Sequence, residues 1–116
     1  MKRKYTATSL ITLAFLAGGA QAGTYTVVGG QVNNSGSIAI GAGSEAGDRQ
    51  PTDEGQSVAI GAEADATGSR GIAIGKKAKA TFVQGIAIGE NAETTSSLGL
   101  AIGASAKAHY SAIALG

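Results

Sequence analysis

The sequence predicts an all-β fold, a parallel β-roll or solenoid of 14-residue repeats. Three observations carry that expectation: an apolar motif closed by glycine returns six times, its spacing settles at 14 residues, and bulky and small side chains alternate within it. The copies are Ile38-Ala39-Ile40-Gly41, Val58-Ala59-Ile60-Gly61, Ile72-Ala73-Ile74-Gly75, Ile86-Ala87-Ile88-Gly89, Leu100-Ala101-Ile102-Gly103 and Ile113-Ala114-Leu115-Gly116. Their closing glycines are 20, 14, 14, 14 and 13 residues apart.

Taken in chain order, the first element is a leader. Lys2, Arg3 and Lys4 precede a short apolar run, and Ala20 and Ala22 put small residues where a signal peptidase reads. Residues 1–22 are therefore expected to be cleaved, since the apolar run is shorter than a membrane-spanning helix requires. The mature chain then holds six Lys and Arg against eight Asp and Glu, a formal net charge of −2 in place of +1. That balance is no footprint for nucleic acid. Residues 23–36 read as a degenerate N-terminal coil or lead-in containing Val27, Val28 and Val32.

From residue 37 to 116 the repeats take over. In Ile72-Ala73-Ile74 the bulky side chains are two apart and point one way while alanine points the other, which is strand geometry. Three and five residues past each later glycine stand Ala64 and Ala66, Ala78 and Ala80, Ala92 and Thr94, Ala106 and Ala108. Each unit is thus two short strands joined by turns, and successive units pair in parallel about 4.8 Å apart. The longer first spacing falls where Gly47, Asp48, Pro51, Asp53 and Gly55 cluster, so residues 47–55 are expected to form an exposed inserted loop.

Composition limits how such a chain can be stabilised. Nineteen glycines, no cysteine and no tryptophan leave neither a disulfide scaffold nor the bulk of a globular core. Both faces of the Ile-Ala-Ile strand are apolar, and one roll has a single interior, so the second face calls for association. Ile40, Ile60, Ile74, Ile88 and Ile102 are assigned to the structural core, and which strand face meets another chain is left open. The residues four past each glycine, Asp65, Lys79, Glu93 and Lys107, are expected to form one outward charge ladder of alternating sign.

No catalytic or metal site is expected. His109 is the only histidine, without cysteine or a carboxylate pair nearby in sequence, and reads as a turn residue beside Tyr110. Gly75-Lys76-Lys77 lacks the hydroxyl residue of a phosphate loop. Lys76, Lys77 and Lys79 are flanked by acidic repeats and read as a solvated face.

The glycine-closed apolar strand, the alternating alanines behind it and the 14-residue period resemble the head repeats of trimeric autotransporter adhesins, the YadA-like group, over residues 37–116. That resemblance implies a left-handed β-roll assembled as a homotrimer, displayed on the bacterial surface and attaching to host matrix, cells or other bacteria, with no cofactor, no nucleic acid and no small-molecule substrate. It also places candidate ligand contacts at Ser37, Ile38, Ala39, Ile40, Gly41 and Ser44, in frame with the collagen-associated pattern of such heads, although Gly36 and Ile38 stand where the pattern has asparagine and valine. The family follows its head with a neck, stalk and membrane barrel. None is found in these residues, so a truncated adhesin, at the outer membrane when part of a longer protein and secreted otherwise, is the expectation. Two rivals are a self-assembling, amyloid-like extracellular fibre protein and a β-helix acyltransferase. The latter fold uses hexapeptide periods and a catalytic histidine between subunits.

Overall fold

The computed structural model describes residues 29–34, 36–48 and 56–116. The leader on residues 1–22, Val27 and Val28, and residues 49–55 of the inserted loop lie outside the described residues. Among the described residues twelve short strands follow in order: β1 (Gln31–Val32), β2 (Ile38–Ile40), β3 (Glu45–Ala46), β4 (Val58–Ile60), β5 (Asp65–Ala66), β6 (Ile72–Ile74), β7 (Lys79–Ala80), β8 (Ile86–Ile88), β9 (Glu93–Thr94), β10 (Leu100–Ile102), β11 (Lys107–Ala108) and β12 (Ile113–Leu115). The even-numbered strands stack into one six-stranded sheet and the odd-numbered strands into another. Every pairing is parallel. The fold is a β-solenoid with one strand of each sheet per coil.

Register follows the sequence period. Ile72 pairs with Ile86 and Ile86 with Leu100, while Lys79 pairs with Glu93. The longer first spacing leaves this pattern intact, because Ile38 pairs with Val58 across it. Gln31 pairs with Glu45, so the lead-in contributes a strand to the second sheet.

Two turns close each coil. After the even-numbered strand the chain bends through a β-turn, with the Ala78 amide donating to the Gly75 carbonyl at 3.2 Å and the Ala92 amide to Gly89 at 3.2 Å. The closing glycine is obligatory there. Its φ is +129° at Gly75, and a Cβ would stand 2.6 Å from the Gly89 carbonyl oxygen of the next coil. The residue two further on is also left-handed, at Glu63, Lys77, Asn91 and Ser105, with φ of 58° or 59°.

The interior is lined by methyl groups. Ala59, Ala73, Ala87 and Ala101 of the first sheet and Ala66, Ala78, Ala80, Ala92 and Ala108 from the other side of the coil are fully buried. Apart from Thr94, Ser44 and Ser57 no fully buried side chain among the described residues is larger than alanine, because the sheets approach closely. A Cβ at Gly71 would lie 2.8 Å from the Ala80 carbonyl oxygen, and one at Gly85 would lie 2.5 Å from Thr94 Oγ1. Where serine replaces glycine in that column, at Ser57, its buried hydroxyl donates to the Gly68 carbonyl at 3.0 Å and accepts from the Gly71 amide at 3.3 Å.

The isoleucines correct the sequence reading. Ile40, Ile60, Ile74 and Ile88 are only half-buried and Ile102 is 39% exposed, so they line the outer face of the even-numbered sheet and not the coil interior. A strand places alternate residues on opposite faces, and a gap that admits only a methyl selects alanine.

Candidate functional site

Two outer faces lie back to back, one on each sheet. The even-numbered strands carry two aliphatic columns, from Ile38 to Ile113 and from Ile40 to Leu115, each in register over six coils. The central members are half-buried, and Ile38, Ile113 and Leu115 expose 49%, 69% and 72% of their surface. Continuous exposed apolar strips of this kind commonly mark association surfaces.

The odd-numbered strands carry the charged face. Asp65, Lys79, Glu93 and Lys107 stand in register on β5, β7, β9 and β11, with Glu45 of β3 below Asp65. Glu45, four past Gly41, belongs to the same column although the sequence reading counted only from Gly61 onward; Asn33 Nδ2 donates to its carboxylate at 2.9 Å. Thr67 holds the Asp65 carboxylate through its hydroxyl at 2.7 Å and its amide at 3.2 Å. Lys107 and Glu93 form an ion pair at 3.4 Å, and Lys76 and Glu90 one at 3.9 Å. Alongside the ladder runs the column of left-handed turn residues. Between the two lies an open groove of about 530 Å³, bordered by Glu63, Lys77, Asn91 and Ser105 on one side and by Lys79, Glu93 and Lys107 on the other.

The predicted ligand contacts do not form one surface. Ala39 and Ser44 are interior, 4% and 1% exposed, and the Ser44 hydroxyl donates to the Gly41 carbonyl at 2.9 Å inside its own coil. Ser37 Oγ accepts from the Ser57 amide at 3.1 Å, tying the starts of β2 and β4 together. Ile38 and Ile40 belong to the aliphatic columns, and Gly41 makes the turn.

A third feature went unread in the sequence. Phe82, Val83, Leu98 and Tyr110 are exposed at the turns that lead back from the odd-numbered to the even-numbered strands. His109 lies beside Tyr110 on the outside, its Nδ1 2.5 Å from the Thr95 hydroxyl. Among the described residues no group of three or more His, Cys, Asp or Glu is disposed to hold a metal ion.

Comparison with protein families matches the YadA head domain repeat twice, over residues 55–78 and 66–92. No curated protein and no solved structure matches the chain.

Proposed function

We propose that this chain, whose residues 55–78 and 66–92 match the YadA head domain repeat, is the head of a trimeric, adhesin-like surface protein, exported through its leader and attaching cells to host matrix, host cells or other bacteria. The observation that carries this reading is the aliphatic strip on the even-numbered sheet. The coil interior is filled by alanine with Ser44, Ser57 and Thr94, so the strip from Ile38 to Leu115 lies outside it. A second apolar layer of six coils is the buried surface of an assembly.

Three copies that turn this strip toward a common axis bury it and leave the charged faces outward. The outer faces then present ordinary polar side chains in repeating columns, the way solenoid heads bind extended partners. Ligand contact belongs on that perimeter and on the 47–55 insertion, not on the buried Ala39 and Ser44.

The test is the mass of the purified mature chain in solution, followed by binding to surfaces coated with matrix proteins. A discrete trimer that retains coated surfaces supports the head. Heterogeneous growing fibres support the fibre rival, and a stable monomer refutes the assembly.

A further inference from the structure

Among the described residues eight large hydrophobic side chains are exposed, and only four of them belong to the aliphatic strip. The other four, Phe82, Val83, Leu98 and Tyr110, all stand on one edge of the coil, in the turns that lead from an odd-numbered strand to the next even-numbered one. The opposite edge, at residues 61–63, 75–77, 89–91 and 103–105, holds only glycine, alanine, serine, asparagine and charged side chains. The two edges of the roll are therefore chemically unlike.

Three of the four form one patch that runs on into the strip. The Leu98 amide donates to the Val83 carbonyl at 3.0 Å, Phe82 precedes Val83, and Leu98 stands two residues before Leu100. Leu98 is a costly residue for its place, 60% exposed and at φ +63°, a left-handed backbone that bulky side chains adopt only under strain. Its column holds Gln84 one coil below and Arg70 two below, so the fold itself does not call for leucine there. An exposed and strained apolar side chain beside an apolar strip points to a surface that covers it.

The width of the strip says which surface. A three-residue strand is only about 10 Å long, so strips turned toward a common axis meet at their edges. Around a closed ring, the edge that begins the even-numbered strand in one copy meets the edge that ends it in the next. A patch on one edge only suits this head-to-tail contact, whereas a two-fold pairing needs a surface complementary to itself. The receiving edge fits the patch. The 81–85 turn climbs one coil, since Gly85 already lies beside Thr94, so Phe82 and Val83 stand between the levels of Lys76 and Glu90 on the next copy. Those two side chains form an ion pair at 3.9 Å, and their methylene stems span that interval. One coil higher, Leu98 comes level with the exposed Ala104 of the same neighbour.

We propose that Phe82, Val83 and Leu98 are the seam between neighbouring copies in the ring, docked on the Lys76–Glu90 edge of the next copy, and that this seam makes the closure parallel and head-to-tail. The strip supplies most of the buried surface, but it is apolar from end to end and does not distinguish one edge from the other. The seam does. It rests on the trimeric reading and deepens it, because it names the residues that decide which edge meets which.

Two sets of variants of the mature chain test the seam. The first takes residues that the same columns already hold, so that the coil is kept: Phe82→Ser repeats Ser96, Val83→Ser repeats Ser97 and Leu98→Gln repeats Gln84. The triple variant is expected to retain the circular dichroism spectrum of the wild type and, in sedimentation equilibrium, to fall apart at a concentration roughly a hundredfold higher, each covered apolar side chain being worth about tenfold. The second set uses the absence of cysteine from the chain. Val83→Cys combined with Lys76→Cys or Glu90→Cys, oxidised with oxidised glutathione, is expected to give covalent dimers and trimers on a non-reducing gel. None of the three single variants is expected to do so, because position 83 and positions 76 and 90 lie on opposite edges of any one copy. Covalent dimers from a single variant would mean a two-fold pairing and overturn the seam, as would no covalent species from either combination. A triple variant that assembles like the wild type overturns it too, and loss of binding to matrix-coated surfaces by that same assembled variant would give the patch to the ligand instead. In each of these cases a trimeric wild type leaves the head reading standing, whereas a wild type that is monomeric at every concentration removes that reading and the seam with it.

Discussion

Replacing Ala73 by valine tests the inversion that most distinguishes this fold, alanine inside and isoleucine outside. Ala73 is fully buried in β6, stacked between Ala59 and Ala87 in register. The walls around it are backbone. At neighbouring Gly71 a single added carbon would already lie 2.8 Å from the Ala80 carbonyl oxygen and 2.9 Å from that of Gly68. Two additional methyl groups at position 73 therefore have no space to enter, and the sheets must separate. Overpacking of this kind costs about 1–3 kcal/mol. For a chain of this size each kcal/mol moves the melting midpoint by about 4–8 °C, so a fall of roughly 5–20 °C is expected by circular dichroism. The companion change Ile74→Val removes one methylene from the outer face and should cost at most about 1 kcal/mol. An Ala73→Val protein that melts with the wild type, or one less affected than Ile74→Val, would refute the assignment of the interior.

Three further outcomes are expected. Thr94 Oγ1 is buried without a hydrogen-bond partner among the described residues, so Thr94→Val, which keeps the shape and removes the hydroxyl, should stabilise by about 1–2 kcal/mol in chemical denaturation. Lys77 holds a left-handed backbone at φ 59°, a conformation asparagine tolerates better, and Lys77→Asn should raise stability by about 0.5–1 kcal/mol in the same assay. Deleting six residues from the 49–55 region restores the 14-residue spacing between Gly41 and Gly61 and should change stability by about 1 kcal/mol or less, because closure entropy varies slowly with loop length. An unfolded deletion protein would make that segment a packed element; binding of the folded deletion protein to matrix-coated surfaces measures separately whether the loop carries ligand contacts.

The sequence by itself determined the solenoid. A motif repeated in phase fixes which residues stack, so the pairing of Ile72 with Ile86 and of Lys79 with Glu93 could be counted before any coordinates existed. Alternation fixed that Ala73 and Ile74 point to opposite sides, and the period put Asp65, Lys79, Glu93 and Lys107 in one column. Only the tertiary structure decided which side is inside. Both strand faces are apolar, and hydrophobicity, which has no direction, cannot choose between them. The choice rests on the distance between the two sheets, set by turns whose closing glycines carry φ near +129° and by glycines such as Gly71 and Gly85 that admit no Cβ. That distance accepts methyl groups and excludes isoleucine. It also buried Ser44 and Ala39, which a linear motif had offered as ligand contacts, because a motif records the order of residues and not the thickness of the coil they close.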